Sequence, residues 1–389
     1  VPHYEGAKLM PSVLITLGRF PKGLDLARSF KAAGYRVVVA DPFQNHLLGI
    51  SRSVEKSFQT PTPAQDPRAY IDALCAIVES EAIDLVVPVS EEVMYVAALR
   101  ERLSERTQVF SMPAHALHKV HDKWLFVREA SQFGLGVPQS SLASDPAAQT
   151  ISQNGDFVIK ARHSCGGGGV TFHQRGESFS SSADHIVQAR IRGIEHSSCT
   201  LAHEGHVRAT SIYRASVVSG TVAVGFIRVD HAMIEAWIAQ FVAMTGWTGF
   251  ISFDFIVDAQ GQVHALECNP RVTSGIHFFE TSDLAPAILD PSLTLRLRPD
   301  FHLQQFWACL QEAVKELPNL AAYVARLRDI WRRHDVTWSR SDPWPFLAMP
   351  WAARDLLARS WRSGLPLAVA ATDDLAWTPA AQAQFGVQP

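Results

Sequence analysis

Phe250-Ile251-Ser252-Phe253-Asp254-Phe255-Ile256-Val257, then Asp258-Ala259-Gln260-Gly261, then Val263-His264-Ala265-Leu266-Glu267-Cys268-Asn269-Pro270-Arg271 is the stretch from which the fold is read. Two strand-like runs flank a short turn containing Gly261, which predicts a hairpin. In the first run Ile251, Phe253, Phe255 and Val257 alternate with Ser252, Asp254 and Ile256, so the two sets take opposite faces. In the second, Glu267, Asn269 and Arg271 share one face and Leu266 and Cys268 the other. Pairing across the turn puts Asp254 near Ala265. Asp254 and Glu267 then become diagonal neighbours on one face, about 7–8 Å apart between backbones. Two acids and an amide oxygen are hard-oxygen ligands for Mg²⁺, and the arginine beside them suits a phosphate. The alternative is a solvated polar hairpin edge.

Upstream, strands and helices alternate. Val13–Leu17, Val37–Ala40 and Leu85–Val89 are short apolar runs; Gly23–Ala33 and Tyr70–Ser80 carry helical spacing. This alternation predicts a parallel, Rossmann-like sheet. The segment after the first strand, Gly18-Arg19-Phe20-Pro21-Lys22-Gly23, is not Gly-x-Gly-x-x-Gly, so a dinucleotide site is rejected. Arg19, Ser90 and Glu91 fall at carboxyl ends of strands, where open α/β sheets bind ligands. They are candidate substrate contacts, with capping or surface roles as the alternative.

Between these regions, His121-Asp122-Lys123-Trp124 opens a helix running to about Phe133. Phe157-Val158-Ile159-Lys160 is a strand that runs through Ala161-Arg162-His163-Ser164-Cys165 into Gly166, Gly167, Gly168 and Gly169. Backbone N–H groups of such a loop can surround phosphates while Lys160 supplies charge. No Gly-Lys-Ser/Thr follows, so this is not a Walker A loop.

The chain has 389 residues, 47% hydrophobic and 19% charged, which fits a globular protein of two or three units. Its net charge of −3 argues against a nucleic-acid binder. Cys75, Cys165, Cys199, Cys268 and Cys309 form no Cys-x-x-Cys, so neither a disulfide framework nor a zinc site is expected. No apolar run reaches the roughly 20 residues of a membrane helix, and no signal-peptide pattern opens the chain. A cytoplasmic protein is expected. From about Phe301 the chain becomes rich in tryptophan and arginine, with Trp307, Trp331, Trp338, Trp344, Trp351, Trp361 and Trp377. These rings are expected to pack the tail on the body; a substrate pocket, a dimer contact and a membrane surface are the alternatives.

The ordered set Lys123, Lys160, glycine run, Glu195, Asp254, Glu267, Asn269 and Arg271 resembles the ATP-grasp ligases. The likeness spans about Val13 to Asp290 and leans toward the carbamoyl-phosphate-synthase large-subunit-like members, among them ligases of the mycosporine-glycine type. It implies an α/β fold: a Rossmann-like N-terminal domain (12–112), a two-subdomain ATP-grasp fold of α+β type (113–185 with the glycine loop, 186–300 with the metal site), and a Trp-rich, mainly helical extension (301–389). A single ATP-grasp unit is expected. The resemblance implies Asp254, Glu267 and Asn269 as ligands of Mg²⁺, or of Mn²⁺ in its place. Lys123, Lys160 and Gly166 to Gly169 would hold the ATP phosphates, and Lys160 and Arg271 would be catalytic.

Ile186 to Ser197 is similar to the family hinge. There the backbone at Gln188 and Ile191 would read adenine, and Glu195 would hold the ribose. Ala189 and Arg190 depart from the usual hinge residues. The implied reaction is ADP-forming: an acid oxygen, of a carboxylate or an enol, is phosphorylated, and an amine, often an amino acid, then displaces phosphate. A kinase on the same scaffold and a non-catalytic nucleotide binder are the alternatives. Partners would be a small-molecule acid and amine, with no nucleic acid and no membrane; the sequence leaves a homodimer open. No general base is evident, although His163 and His277 lie near the right segments.

Overall fold

The computed structural model describes residues 10–163, 169–377 and 381. The first sheet holds β1 (Ser12–Ile15), β2 (Arg36–Asp41), β3 (Lys56–Gln59), β4 (Leu85–Val87) and β5 (Gln108–Val109), all parallel, in the order β3-β2-β1-β4-β5. β1 and β2 read as unbroken apolar runs because helices cover both faces; Val13, Leu14, Ile15, Val38 and Val39 are fully buried. The strand order reverses between β1 and β4, so a crevice opens at their carboxyl ends. β3 and β5 escape sequence reading because one is polar and exposed and the other has two residues.

The second sheet is antiparallel: β6 (Ser140–Leu142), β7 (Phe157–Ala161), β8 (Thr171–His173) and β9 (His185–Ala189), in the order β6-β9-β7-β8. Phe157 and Val187 pack with Ala148 and Ile151 of the helix Pro146–Asn154. β7 carries Lys160 toward the glycine run. Gly166, Gly167 and Gly168 lie outside the described residues, and Gly169 re-enters with φ of +76° before β8. The cut expected between 185 and 186 falls inside β9, because that strand pairs with β7 and β6.

The third sheet has β10 (Gly193–His203), β11 (His206–Ser219), β12 (Val222–Val229), β13 (Gly249–Asp258), β14 (Val263–Asn269), β15 (His302–Gln304) and β16 (His334–Asp335), in the order β14-β13-β10-β11-β12-β15-β16. On one face Phe253 and Phe255 meet Trp237 and Phe241 of the helix Ala232–Thr245 and Phe126 of the helix Lys123–Gln132. Burying each such ring contributes on the order of 2 kcal/mol. The opposite face carries Ser252 and Asp254 beside Phe250, which is buried with Cys199 and Leu201.

The tail is not a free-standing addition. β15 pairs with β12 and β16 with β15, so the tail lengthens the third sheet before turning helical. Trp377 fulfils the packing expectation, meeting Tyr95 at 4.8 Å and His118 at 4.5 Å between ring centres. Trp331 and Trp361 do not, being 77% and 85% exposed. Among the described residues no helix is long and apolar enough to cross a membrane.

Candidate active site

A β-bulge builds the acid pair. Val263, His264 and Ala265 pair with Val257, Ile256 and Phe255, but the next pair is Glu267 with Asp254, leaving Leu266 unmatched. Asp254 and Glu267 are therefore directly opposed, not diagonal. Without the extra residue, Leu266 would face Asp254 and Glu267 would point to the core side, since side chains alternate with a period of two. Asn269 opposes Ser252 and completes the polar face.

Lysines from two other elements converge on this pair. Asp122 caps the helix Lys123–Gln132, accepting from the Trp124 and Leu125 amides at 2.8 and 3.2 Å. Arg162, two residues beyond Lys160, donates to the same carboxylate from Nε at 3.0 Å. The cap and β7 are thereby fastened together, and Lys123 in the first helical turn reaches Glu267 Oε2 at 3.3 Å. Lys160 is buried beside both acids, feeling the charges of Glu267, Asp254 and Lys123.

The charges show what this cluster lacks. Burial, then the neighbouring Glu267 charge, pushes the Asp254 carboxyl up to about 7. Burial also opposes ionisation of Glu267, but Lys123 and Lys160 outweigh it and hold that carboxyl below its ordinary range. Two opposed acids of which one resists ionisation fit a site for a divalent cation. Among the described residues no three His, Cys, Asp or Glu side chains surround one metal position. The set instead has two carboxylates and one amide, so phosphate and water oxygens would complete it. Asn269 presents Nδ2 to Asp254 Oδ2 at 3.1 Å and Oδ1 to Arg271 at 3.1 Å. A half-turn of the amide gives up both hydrogen bonds and brings its oxygen to the acids, an arrangement that a cation between the oxygens would favour.

Arg271 leads from this face to the first domain. Its Nε donates to Glu91 Oε1 at 2.7 Å, and His121 Nε2 stands 3.4 Å from the other Glu91 oxygen. Glu91 is 2% exposed; burial opposes its charge, yet Arg271 and His121 hold it well below the usual carboxylate range. Ser90 accepts from Lys22 Nζ at 3.0 Å. Glu91 and Ser90 thus stand at the seam of the two domains. Arg19 does not join them. Its guanidinium is held by Asp41 at 2.9 Å and Asp374 at 2.8 Å and lies over the Phe43 ring. It fastens the tail to the first sheet, a correction to its candidacy as a substrate contact.

Residues 120–275 match the family described as the ATP-grasp domain. The chain contains an ATP-grasp domain. That fold takes ATP and Mg²⁺. N5-carboxyaminoimidazole synthetase from Staphylococcus aureus is similar in structure at 16% identity, with a TM-score of 0.58 over 74% of this chain and 80% of that one. The biotin carboxylase domain dimer of 2-oxoglutarate carboxylase from Hydrogenobacter thermophilus, in complex with MgADP, gives 0.60 at 15% identity over 75% and 71%. An L-amino acid ligase from Bacillus licheniformis gives 0.55 at 16% identity over 73% and 75%. At these identities the likeness is one of fold. No curated protein matches the chain by sequence.

The residues expected at the nucleotide lie on β9, on β10 and in the link between them. Gln188 is buried in β9 and its amide donates to Ser140 Oγ at 3.0 Å, so its side chain is occupied inside the sheet. Ile191 lies in the short link between β9 and β10. Glu195 is exposed on β10 opposite Ile256, on the same face as Ser197 and Asp254. Ser197, absent from the sequence candidates, donates to Asp254 Oδ1 at 2.6 Å. His163 stands 3.5 Å from Asp122, and burial pulls its pKa down to about 4. His277 is locked to Asp25 at 2.6 Å, in contact with the helix Pro21–Ala32. Lys22 is the further side chain that sequence reading passed over; no motif marks it.

Proposed function

We propose that this chain is an ADP-forming ligase that phosphorylates an acid oxygen and couples the activated acid to an amine. The observation that carries this reading is the convergence of Lys123 and Lys160 on the opposed pair Asp254 and Glu267. Four side chains from four elements meet at a point that suits a nucleotide phosphate and a divalent cation. Asp254, Glu267 and Asn269 would hold Mg²⁺, which when bound neutralises phosphate charge. Lys123 and Lys160 orient the phosphates, and the glycine run 166–169, of which Gly169 alone is described, is assigned to the same phosphates. Gln188 and Ile191 offer backbone to adenine, and Glu195 faces the ribose. Arg271, held in plane by Glu91 and Asn269, steadies the group in transfer.

The proposed units are 12–112, 113–185, 186–300 and 301–389, with β9 crossing the second cut and β15 pairing with β12 across the third. The sequence resemblance to mycosporine-glycine-type ligases supports a small-molecule natural-product acid and an amino acid as substrates. The biotin carboxylase domain of similar fold is a dimer, which supports a homodimer here. A cytoplasmic site of action is part of the same reading.

The test is ADP release from ATP and Mg²⁺ against an acid library, with and without pooled amino acids, followed by mass spectrometry. ADP that needs both acid and amine, with a condensed product mass, supports the ligase. A phosphorylated acid formed without amine would replace this reading with a kinase. Sedimentation checks the dimer.

A further inference from the structure

We propose that Lys22 is the base that takes a proton from the amine substrate, and that the amine enters where Lys22, Ser90 and Val272 meet. The inference rests on the ligase reading above. Lys22 lies in the first turn of the helix Pro21–Ala32, at the carboxyl end of β1. Its Nζ donates to Ser90 Oγ at 3.0 Å and to the Val272 carbonyl at 2.9 Å. Ser90 adjoins Glu91 and Val272 adjoins Arg271, the two partners of the seam. Lys22 therefore stands one residue from the group assigned to the transferring phosphate, on the wall contributed by the first domain. It is only partly buried, so a molecule in the cleft can reach it.

The donor count matters. A neutral lysine has two N–H bonds and one lone pair. Ser90 and Val272 take both hydrogens, which leaves the lone pair for a third partner. The surrounding charges favour that neutral form. Burial opposes the ammonium, and the Arg271 guanidinium repels it, bringing Lys22 down to about 7. The opposing groups are already engaged: Glu91 by Arg271, and Glu92 by the Val89 and Ser90 amides and Thr16 Oγ1. Cys199 of β10 also faces Lys22; burial pushes its thiol up, so it stays neutral. A lysine used only as an ion-pair partner would not be set beside an arginine with both nearby carboxylates otherwise occupied.

In the step assigned to it, the substrate ammonium passes one proton to the Lys22 lone pair. The freed amine attacks the carbonyl carbon of the acyl phosphate and the C–N bond forms. The C–O bond to phosphate breaks, and phosphate leaves with the electron pair and the second nitrogen proton. Lys22 then returns its proton to water.

The experiment compares full-length wild type, Lys22→Met and Lys22→Arg in ADP release with the acid library. The acceptor is either pooled amino acids or hydroxylamine, which is unprotonated at neutral pH and needs no base. The ratio of amino-acid to hydroxylamine rate is expected to fall by about 100-fold in both variants. Arginine keeps the two donors but cannot take a proton, so a wild-type ratio in Lys22→Arg overturns the assignment. An unchanged ratio in Lys22→Met overturns it as well. Should the variants not fold, competitive acetylation of wild type across about pH 6 to 10 reads the same property. Lys22 is expected to label well below the pH at which exposed Lys56 labels, and matching profiles overturn the proposal. ADP release by wild type with an unchanged ratio sinks only the role of Lys22. No ADP release by wild type with any acid sinks the ligase reading and this role together.

Discussion

Arg271 Nε donates to Glu91 Oε1 at 2.7 Å, and this pair ties the end of the acid-bearing hairpin to the loop after β4. The same guanidinium touches Asn269, which touches Asp254. The first domain therefore sets the orientation of a group at the phosphate site. Arg271→Ala is expected to lower turnover by about 10²–10³-fold, and Arg271→Lys is not expected to restore it, because an ammonium cannot span Glu91 and Asn269 together. Glu91→Ala leaves a guanidinium without its counter-charge and is expected to cost about 3 kcal/mol in urea unfolding. The double variant should lose less than the sum of the two; strict additivity would show that the pair is not coupled.

Glu267→Gln and Lys160→Ala are expected to abolish measurable ADP formation, a loss of at least about 100-fold, with unchanged circular dichroism. Lys160 is held with its pKa lowered by burial, so removing it relieves a penalty in the fold while removing charge from the phosphate site. Near-normal turnover in either variant would break the site assignment.

Asp254 predicts a pH dependence of stability without metal. Its folded carboxyl sits near 7 against an ordinary 3.8. Between those values the native state holds a proton that the unfolded chain has lost. Stability should therefore fall as pH rises from about 4 to about 7, by on the order of 1–3 kcal/mol. Asp254→Asn should flatten that decline in chelator-treated protein. Mg²⁺ must find the carboxylate ionised, so its affinity should rise with pH through about 7 and its binding should release protons, as calorimetry in two buffers would show. A Mg²⁺ affinity independent of pH over that interval would contradict the arrangement.

Arg19 and Asp374 are 355 positions apart and form a nearly solvent-free pair together with Asp41. Arg19→Ala is expected to cost about 3–5 kcal/mol and to loosen the tail, because it strands two buried carboxylates. Limited proteolysis should then cut near Asp374 in the variant before wild type. Equal cleavage rates would place the tail's attachment elsewhere, on Trp377 and its stack over His118.

The alternation of Phe253, Asp254 and Phe255, the apolar runs of β1 and β2, and the lysine before the glycines needed only local physics, and sequence alone located them. Side-chain period and strand–helix alternation are properties of neighbouring residues. The acid pair itself was legible as two residues but not as a geometry. The unmatched Leu266 turns Glu267 to the face of Asp254, and a bulge is decided by how the whole strand packs on Phe126 and Trp237. Arg19 looked like a ligand contact because its partner Asp374 lies at the far end of the chain. Lys22 carries no local mark because its partners Ser90 and Val272, and the neighbouring Arg271, come from two other segments. A charge, a pKa and a hydrogen-bond count belong to a surrounding, and the surroundings of these residues exist only once the sheets have closed on one another.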